Sequence, residues 1–135
     1  MITPVKTDKG EVQPFVHFAS GKVASGVAVG SACTVDASNE KLTAATGTTR
    51  PTYIALAAYG GDVPAIRVQK DVIYESALGA ASSGLKVGSK LKLDATNGTT
   101  FVLATLTGNS PDDPVAECVS YVGTASGDAI RVRFI

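Results

Sequence analysis

The chain has no tryptophan, a single histidine, two cysteines and only 6% aromatic residues. Lys and Arg number 12, as do Asp and Glu, so the formal net charge is zero. Without a positive field, general nucleic-acid binding and an electrostatic membrane anchor are both excluded as expectations. The longest apolar runs fall far short of the roughly 18 residues that a transmembrane helix needs. The N-terminal MITPVKTDKGE carries no apolar h-region, so no signal peptide is expected and synthesis in a cytoplasm is. Cys33 and Cys118 stand too far apart in the chain for a compact metal pattern. They read as two small buried apolar groups, with a disulfide the less favoured alternative in a reducing compartment.

Motifs for chemistry are also missing. There is no GxGxxG, no P-loop, no GxSxG elbow and no EF-hand spacing. His17 has no nucleophile or ligand cluster near it in sequence, so it reads as a surface or arm contact. Asp112 and Asp113 are adjacent, but they sit in the Pro-flanked loop GNSPDDP at 108–114, where carboxylates are usually solvated. Arg67, Arg131 and Arg133 alternate with apolar neighbours and are expected to line one sheet face, solvated or interfacial. The expectation is a protein that is not an enzyme and uses no cofactor or metal.

What the chain does have is an internal repeat. Gly26–Asn39 reads GVAVGSACTVDASN, and Gly84–Asn97, 58 residues later, reads GLKVGSKLKLDATN. Seven of the fourteen aligned positions are identical without a gap. A weaker echo follows each copy: Ala65-Ile66-Arg67-Val68 after Gly61-Asp62, and Ala129-Ile130-Arg131-Val132 after Gly127-Asp128. Tyr59 and Tyr121 precede these echoes. Two units are expected, about 21–75 and 79–135, forming one domain over 21–135 with approximate two-fold internal symmetry; two copies are too few for a solenoid.

Each unit has β grammar. Gly-Ser marks a turn, Lys90-Leu91-Lys92-Leu93 alternates with period two, and Asp-Ala-Ser/Thr-Asn closes a hairpin. Asn97-Gly98 is a strong hairpin signal. Strands are expected at Val12–Ala19, Cys33–Val35, Lys41–Ala44, Thr52–Ala58, Ala65–Val68, Val72–Ala77, Lys90–Leu93, Thr100–Leu103, Ala116–Val122 and Ala129–Ile135. Short strands at this spacing predict an all-β fold, a small β-barrel or β-tulip-like domain made by internal duplication. Residues 1–20 lie outside the repeat and are expected to form an extended N-terminal arm, flexible at first and then joined to the sheet. Val12, Phe15, His17 and Phe18 are its candidate partner-binding residues, by strand addition to a neighbour. The alternative is a frayed terminus plus one edge strand.

The stretch Lys86–Ala95 (KVGSKLKLDA), the C-terminal YVGTASGDAIRVRFI and the Gly-rich GKVASGVAVG at 21–30 together resemble the head decoration, or cement, proteins of tailed bacteriophages. The resemblance implies a β-barrel or β-tulip core that binds the outside of an assembled capsid. It implies a homo-oligomer, a trimer favoured over a dimer, with the major capsid protein as partner. Bridging capsid subunits on the mature head would stabilise the shell, and the protein would localise to the virion after synthesis in a bacterial host. The alternatives are another virion structural module (a head fibre base, a tail-tube or an adhesin-like protein) and, less favoured, a small enzyme or carbohydrate-binding domain.

Overall fold

The computed structural model describes residues 1–7, 16–94 and 98–135. Eleven strands carry the fold: β1 (Thr3–Thr7), β2 (Val16–Phe18), β3 (Ala32–Val35), β4 (Leu42–Ala44), β5 (Tyr53–Ala55), β6 (Val63–Arg67), β7 (Val72–Ala77), β8 (Lys90–Leu93), β9 (Phe101–Leu103), β10 (Ala116–Tyr121) and β11 (Ala129–Phe134). A single 3-10 turn at Ser20–Lys22 is the only helical element among the described residues. All pairings between the strands are antiparallel and fall into two sheets. One has the order β2-β6-β5-β3-β4, the other β1-β7-β11-β10-β8-β9. The fold is therefore all-β, as the composition and turn spacing predict.

The two orders are the same order. Replacing β2, β3, β4, β5 and β6 by β7, β8, β9, β10 and β11 turns the first sheet into the second. Each copy of the repeat thus builds one whole sheet, and β1 is added outside β7. This moves the unit boundary. The sequence halves cut through β7, whereas β7 is the counterpart of β2, so the second unit starts between Arg67 and Val72. The identity that reveals the repeat is concentrated in turns, while β2 and β7 share only a strand period.

The described part of residues 1–20 is sheet rather than arm. β1 pairs with β7, setting Thr3 opposite Glu75 and Thr7 opposite Val72, and Ile2 is completely buried in the core. Pro4 is tolerated because β1 is an edge strand, where a missing N–H breaks no ladder.

Alternation assigns every core side chain to a face. In the five-stranded sheet, Cys33, Leu42, Ala55 and Val63 point to one face, the front, where Val23 and Val27 from the preceding loop cover them. Ala32, Ala45, Ile54 and Ile66 point to the opposite face, the back, and join the main core. In the six-stranded sheet the corresponding front carries Tyr74, Leu91, Leu93, Phe101, Cys118, Ile130, Val132 and Phe134, all in that same core. Its back carries Glu75, Lys90, Lys92, Glu117, Arg131 and Arg133. The apolar back of one sheet thus packs on the front of the other. The halves are stacked head to tail rather than related by the two-fold axis that the repeat suggests.

The weaker echo also resolves differently. Ala32 stands opposite Ile54, which stands opposite Ile66; Lys90 stands opposite Glu117, which stands opposite Arg133. Ile66 therefore corresponds to Arg133, and the two Ala-Ile-Arg-Val stretches are three residues out of structural register. An odd shift exchanges the faces, which puts Ile66 on a back and Ile130 on a front.

The sheets are joined at one corner. Gly47 and Leu93 exchange both backbone hydrogen bonds, at 3.1 and 2.9 Å, and the Ala32 N–H donates to the Gly98 carbonyl at 2.9 Å. Gly98 sits at φ +63° with the Ala45 carbonyl oxygen where a Cβ would project. The result is a barrel-like sandwich; the described strands do not close into one continuous ring.

Candidate interaction surface

The repeated Val-Gly-Ser has the same geometry twice. In Ala28–Ser31 the Ser31 N–H donates to the Ala28 carbonyl at 3.0 Å, and in Lys86–Ser89 the Ser89 N–H donates to the Lys86 carbonyl at 3.0 Å. Gly30 and Gly88 take φ +78° and +88°, as the third position of a type II turn demands. The serine hydroxyl accepts from the first residue of each turn, Ala28 N–H at 2.9 Å and Lys86 N–H at 2.8 Å. Each glycine N–H donates to the neighbouring strand, Gly30 to Ala55 and Gly88 to Cys118, both at 2.8 Å. Glycine and serine are thus explained by backbone geometry. Valine is not: the second position of a type II turn accepts most residues, yet Val29 and Val87 are both exposed.

These valines belong to a larger set. Of the eight large apolar side chains exposed among the described residues, six fall into two groups, Met1, Val29 and Tyr59 around the first turn and Val87, Tyr121 and Val122 around the second. Backbone links fix the neighbours of each group. Tyr59 donates to the Val27 carbonyl at 2.9 Å and Ile2 to the Gly30 carbonyl at 3.1 Å. Thr3 stands opposite Glu75, and Ala77 stands opposite Ala129. Val122 donates to the Ala129 carbonyl at 3.1 Å, and Gly88 donates to Cys118 next door. Val122 is 84% exposed and Val87 70%, values that leave nearly the whole side chain to be covered by something else. Beside them Glu75, Ser120, Tyr121, Val122, Ala129 and Arg131 line a shallow depression. Isolated exposed apolar residues are ordinary, but a group of them is the mark of an interaction surface.

The charged back of the six-stranded sheet is different in kind. Lys90 pairs with Glu117 at 2.8 Å, Arg131 with Glu75 at 3.4 Å, and Lys92 with Asp112 at 2.9 Å. Such pairs keep a sheet face solvated and contribute little stability each. Arg131 and Arg133 share this face, while Arg67 lies on the front of the other sheet with its guanidinium 5.5 Å from the Tyr53 ring centre. The three arginines do not form one row.

The adjacent carboxylates of the 108–114 loop serve separate ties. The Asp112 carboxylate accepts from the Thr105 N–H at 2.7 Å, and that bond first, then Lys92, holds its pKa below the usual carboxylate range. Asp113 meets Arg50 at 3.1 Å. Cys33 and Cys118 are both buried and unbridged, and burial pushes the Cys33 thiol up to about 12 and raises that of Cys118. Among the described residues no three His, Cys, Asp or Glu side chains gather to hold a metal. No described helix is long and apolar enough to cross a membrane.

Of the four arm residues read from the sequence, Val12 and Phe15 lie outside the described residues. His17 is exposed in β2, opposite Pro64. Phe18 is half-buried and packs edge-on against Tyr53, with ring centres 5.3 Å apart, so it serves the chain's own packing. The exposed apolar groups lie elsewhere. Their one sequence signal was a valine repeated at a turn position that does not require it. No protein-family model matches the chain, and no curated protein matches it.

Proposed function

We propose that this chain is a capsid decoration protein of a tailed bacteriophage, acting without catalysis on the outer surface of the mature head. The observation that carries the reading is the exposed apolar groups around the two Val-Gly-Ser turns, on a molecule whose charged sheet face is occupied by ion pairs. Exposed groups of this kind suit docking on a broad partner surface rather than enclosing a small molecule. The resemblance of residues 86–95 and 121–135 to decoration proteins supplies the partner class, the major capsid protein. Self-association as a homotrimer at the binding position belongs to the same reading. The mechanism is linkage: a ligand that binds only the expanded shell stabilises it by mass action.

The test is co-sedimentation of the purified chain with expanded shells and with unexpanded procapsids of the capsid protein encoded near it. Saturable binding to expanded shells alone, with a rise in their melting temperature, is expected. Equal binding to both forms, or none to either, overturns the proposal.

A further inference from the structure

We infer that the outer edge of β2 pairs with the same edge of a second copy of this chain, in a two-fold contact centred on His17. The starting observation is a strand site filled in one sheet and open in the other. Ile66 corresponds to Arg133, so Ala65 corresponds to Val132, and their partners Val16 and Tyr74 correspond as well. One residue on, His17 corresponds to Glu75. Glu75 is covered by β1, which sets Thr3 opposite it. Among the described residues no strand lies outside β2, which ends its sheet.

Hydrogen-bond parity shows what this edge offers. The Leu56 N–H donates to the Pro64 carbonyl at 2.8 Å, so Pro64 faces β5, and it has no N–H to give to β2. Successive residues of an antiparallel ladder face alternate sides. Val63 and Ala65 therefore face β2, and His17, opposite Pro64, turns its N–H and C=O outward. The His17 side chain is exposed, while Val16 and Phe18 are half-buried.

Two points identify the occupant. Each chain has two equivalent edges and a single β1, so a second copy cannot lend its β1 without opening its own β7. The β2 edge of that copy is open in the same way and needs no donor strand. The segment is also self-complementary: Val16-His17-Phe18 reads apolar, polar, apolar in either direction. With His17 opposite the partner's His17, the two exchange both backbone hydrogen bonds, and each Val16 meets the partner's Phe18. An aromatic facing a β-branched residue is a stabilising cross-strand pair. The contact is isologous, so it makes dimers, whereas the resemblance favours a trimer. The ladder is only three residues long in each copy, so the dimer is concentration-dependent. The contact belongs to the free protein and does not rest on the decoration reading.

The experiment combines sedimentation with cross-linking on the full chain. His17→Pro removes the outward N–H that the pairing needs, and proline is tolerated on an edge strand whose N–H faces solvent. Circular dichroism and melting verify that the variant folds. It is expected to raise the dimer dissociation constant by about tenfold or more. His17→Cys tests the geometry directly. Directly opposed residues that exchange both bonds have Cα atoms about 5.5 Å apart, within disulfide reach. Cys33 and Cys118 are buried, so the introduced thiol reports alone. Under mild oxidation His17→Cys is expected to give a covalent dimer, and Thr43→Cys, on β4 at the other edge of the same sheet, is not. The inference is overturned if His17→Cys gives no covalent dimer, if Thr43→Cys cross-links equally, or if His17→Pro leaves the self-association unchanged. Each of these results leaves the decoration reading standing, because shell binding is measured separately.

Discussion

The backs of the two sheets share one backbone plan and carry opposite chemistry. At three equivalent ladder positions the five-stranded sheet places Ala32, Ile54 and Ile66, and the six-stranded sheet places Lys90, Glu117 and Arg133. The apolar back is buried against the other sheet, and the charged back faces outward. The difference shows how a duplicated unit makes a finite stack. One copy offers an apolar back for its neighbour to cover, and the other ends the series with ion pairs, as terminal units of repeat proteins do.

The largest test of that comparison exchanges the chemistry at one ladder position. Ile54→Glu places a carboxylate inside the main core, where Ile54 is fully buried. A loss of about 4 kcal/mol is expected, read as a shift in the urea midpoint. Glu117→Ile removes a half-buried ion-pair partner on the outward face and should change stability by no more than about 0.5 kcal/mol, while promoting self-association. Similar losses in the two variants would contradict the assignment of the faces.

A smaller effect separates two glycines of the repeat region. Both have positive φ, but a side chain at Gly98 meets the Ala45 and Ala32 carbonyls, whereas Gly88 faces open space. Gly98→Ala is expected to cost about 3 kcal/mol and Gly88→Ala about 1 kcal/mol, by the same denaturation measurement. The gap between them reports how tightly the corner that joins the sheets is closed.

The smallest effect is acid sensitivity at the 108–114 loop. The folded pKa of Asp112 is depressed, so its contribution is present above the unfolded carboxylate range and is lost as pH falls through the folded value. Asp112→Asn should therefore flatten the acid limb of a melting-temperature profile and leave the neutral region less changed. An unaltered acid limb would remove Asp112 from the account.

Much of the strand pattern was legible beforehand. Val72–Ala77 and Lys90–Leu93 have the predicted bounds, because alternation and flanking turns are both strong there. The repeat was legible because its turns require glycine, serine and Asx residues in fixed order. β1 was missed, since Pro4 and a polar, short segment look like a frayed end; its pairing with β7 and the burial of Ile2 beside it make it part of the sheet. Head-to-tail packing was not legible either. It depends on which face of each strand is apolar, and the Ala-Ile-Arg-Val echo suggested equal faces where the ladder makes them opposite. The exposed apolar groups escaped because their members are scattered from Met1 to Val122 along the chain.

Hydrogen exchange on the chain bound to expanded shells tests the central claim most directly. New protection is predicted at the Ala28–Ser31 and Lys86–Ser89 turns and around Tyr121–Gly123, with the charged face left as it is in the free protein. Protection appearing instead on the strands that carry Lys90, Glu117 and Arg131, with both turns unchanged, would contradict it.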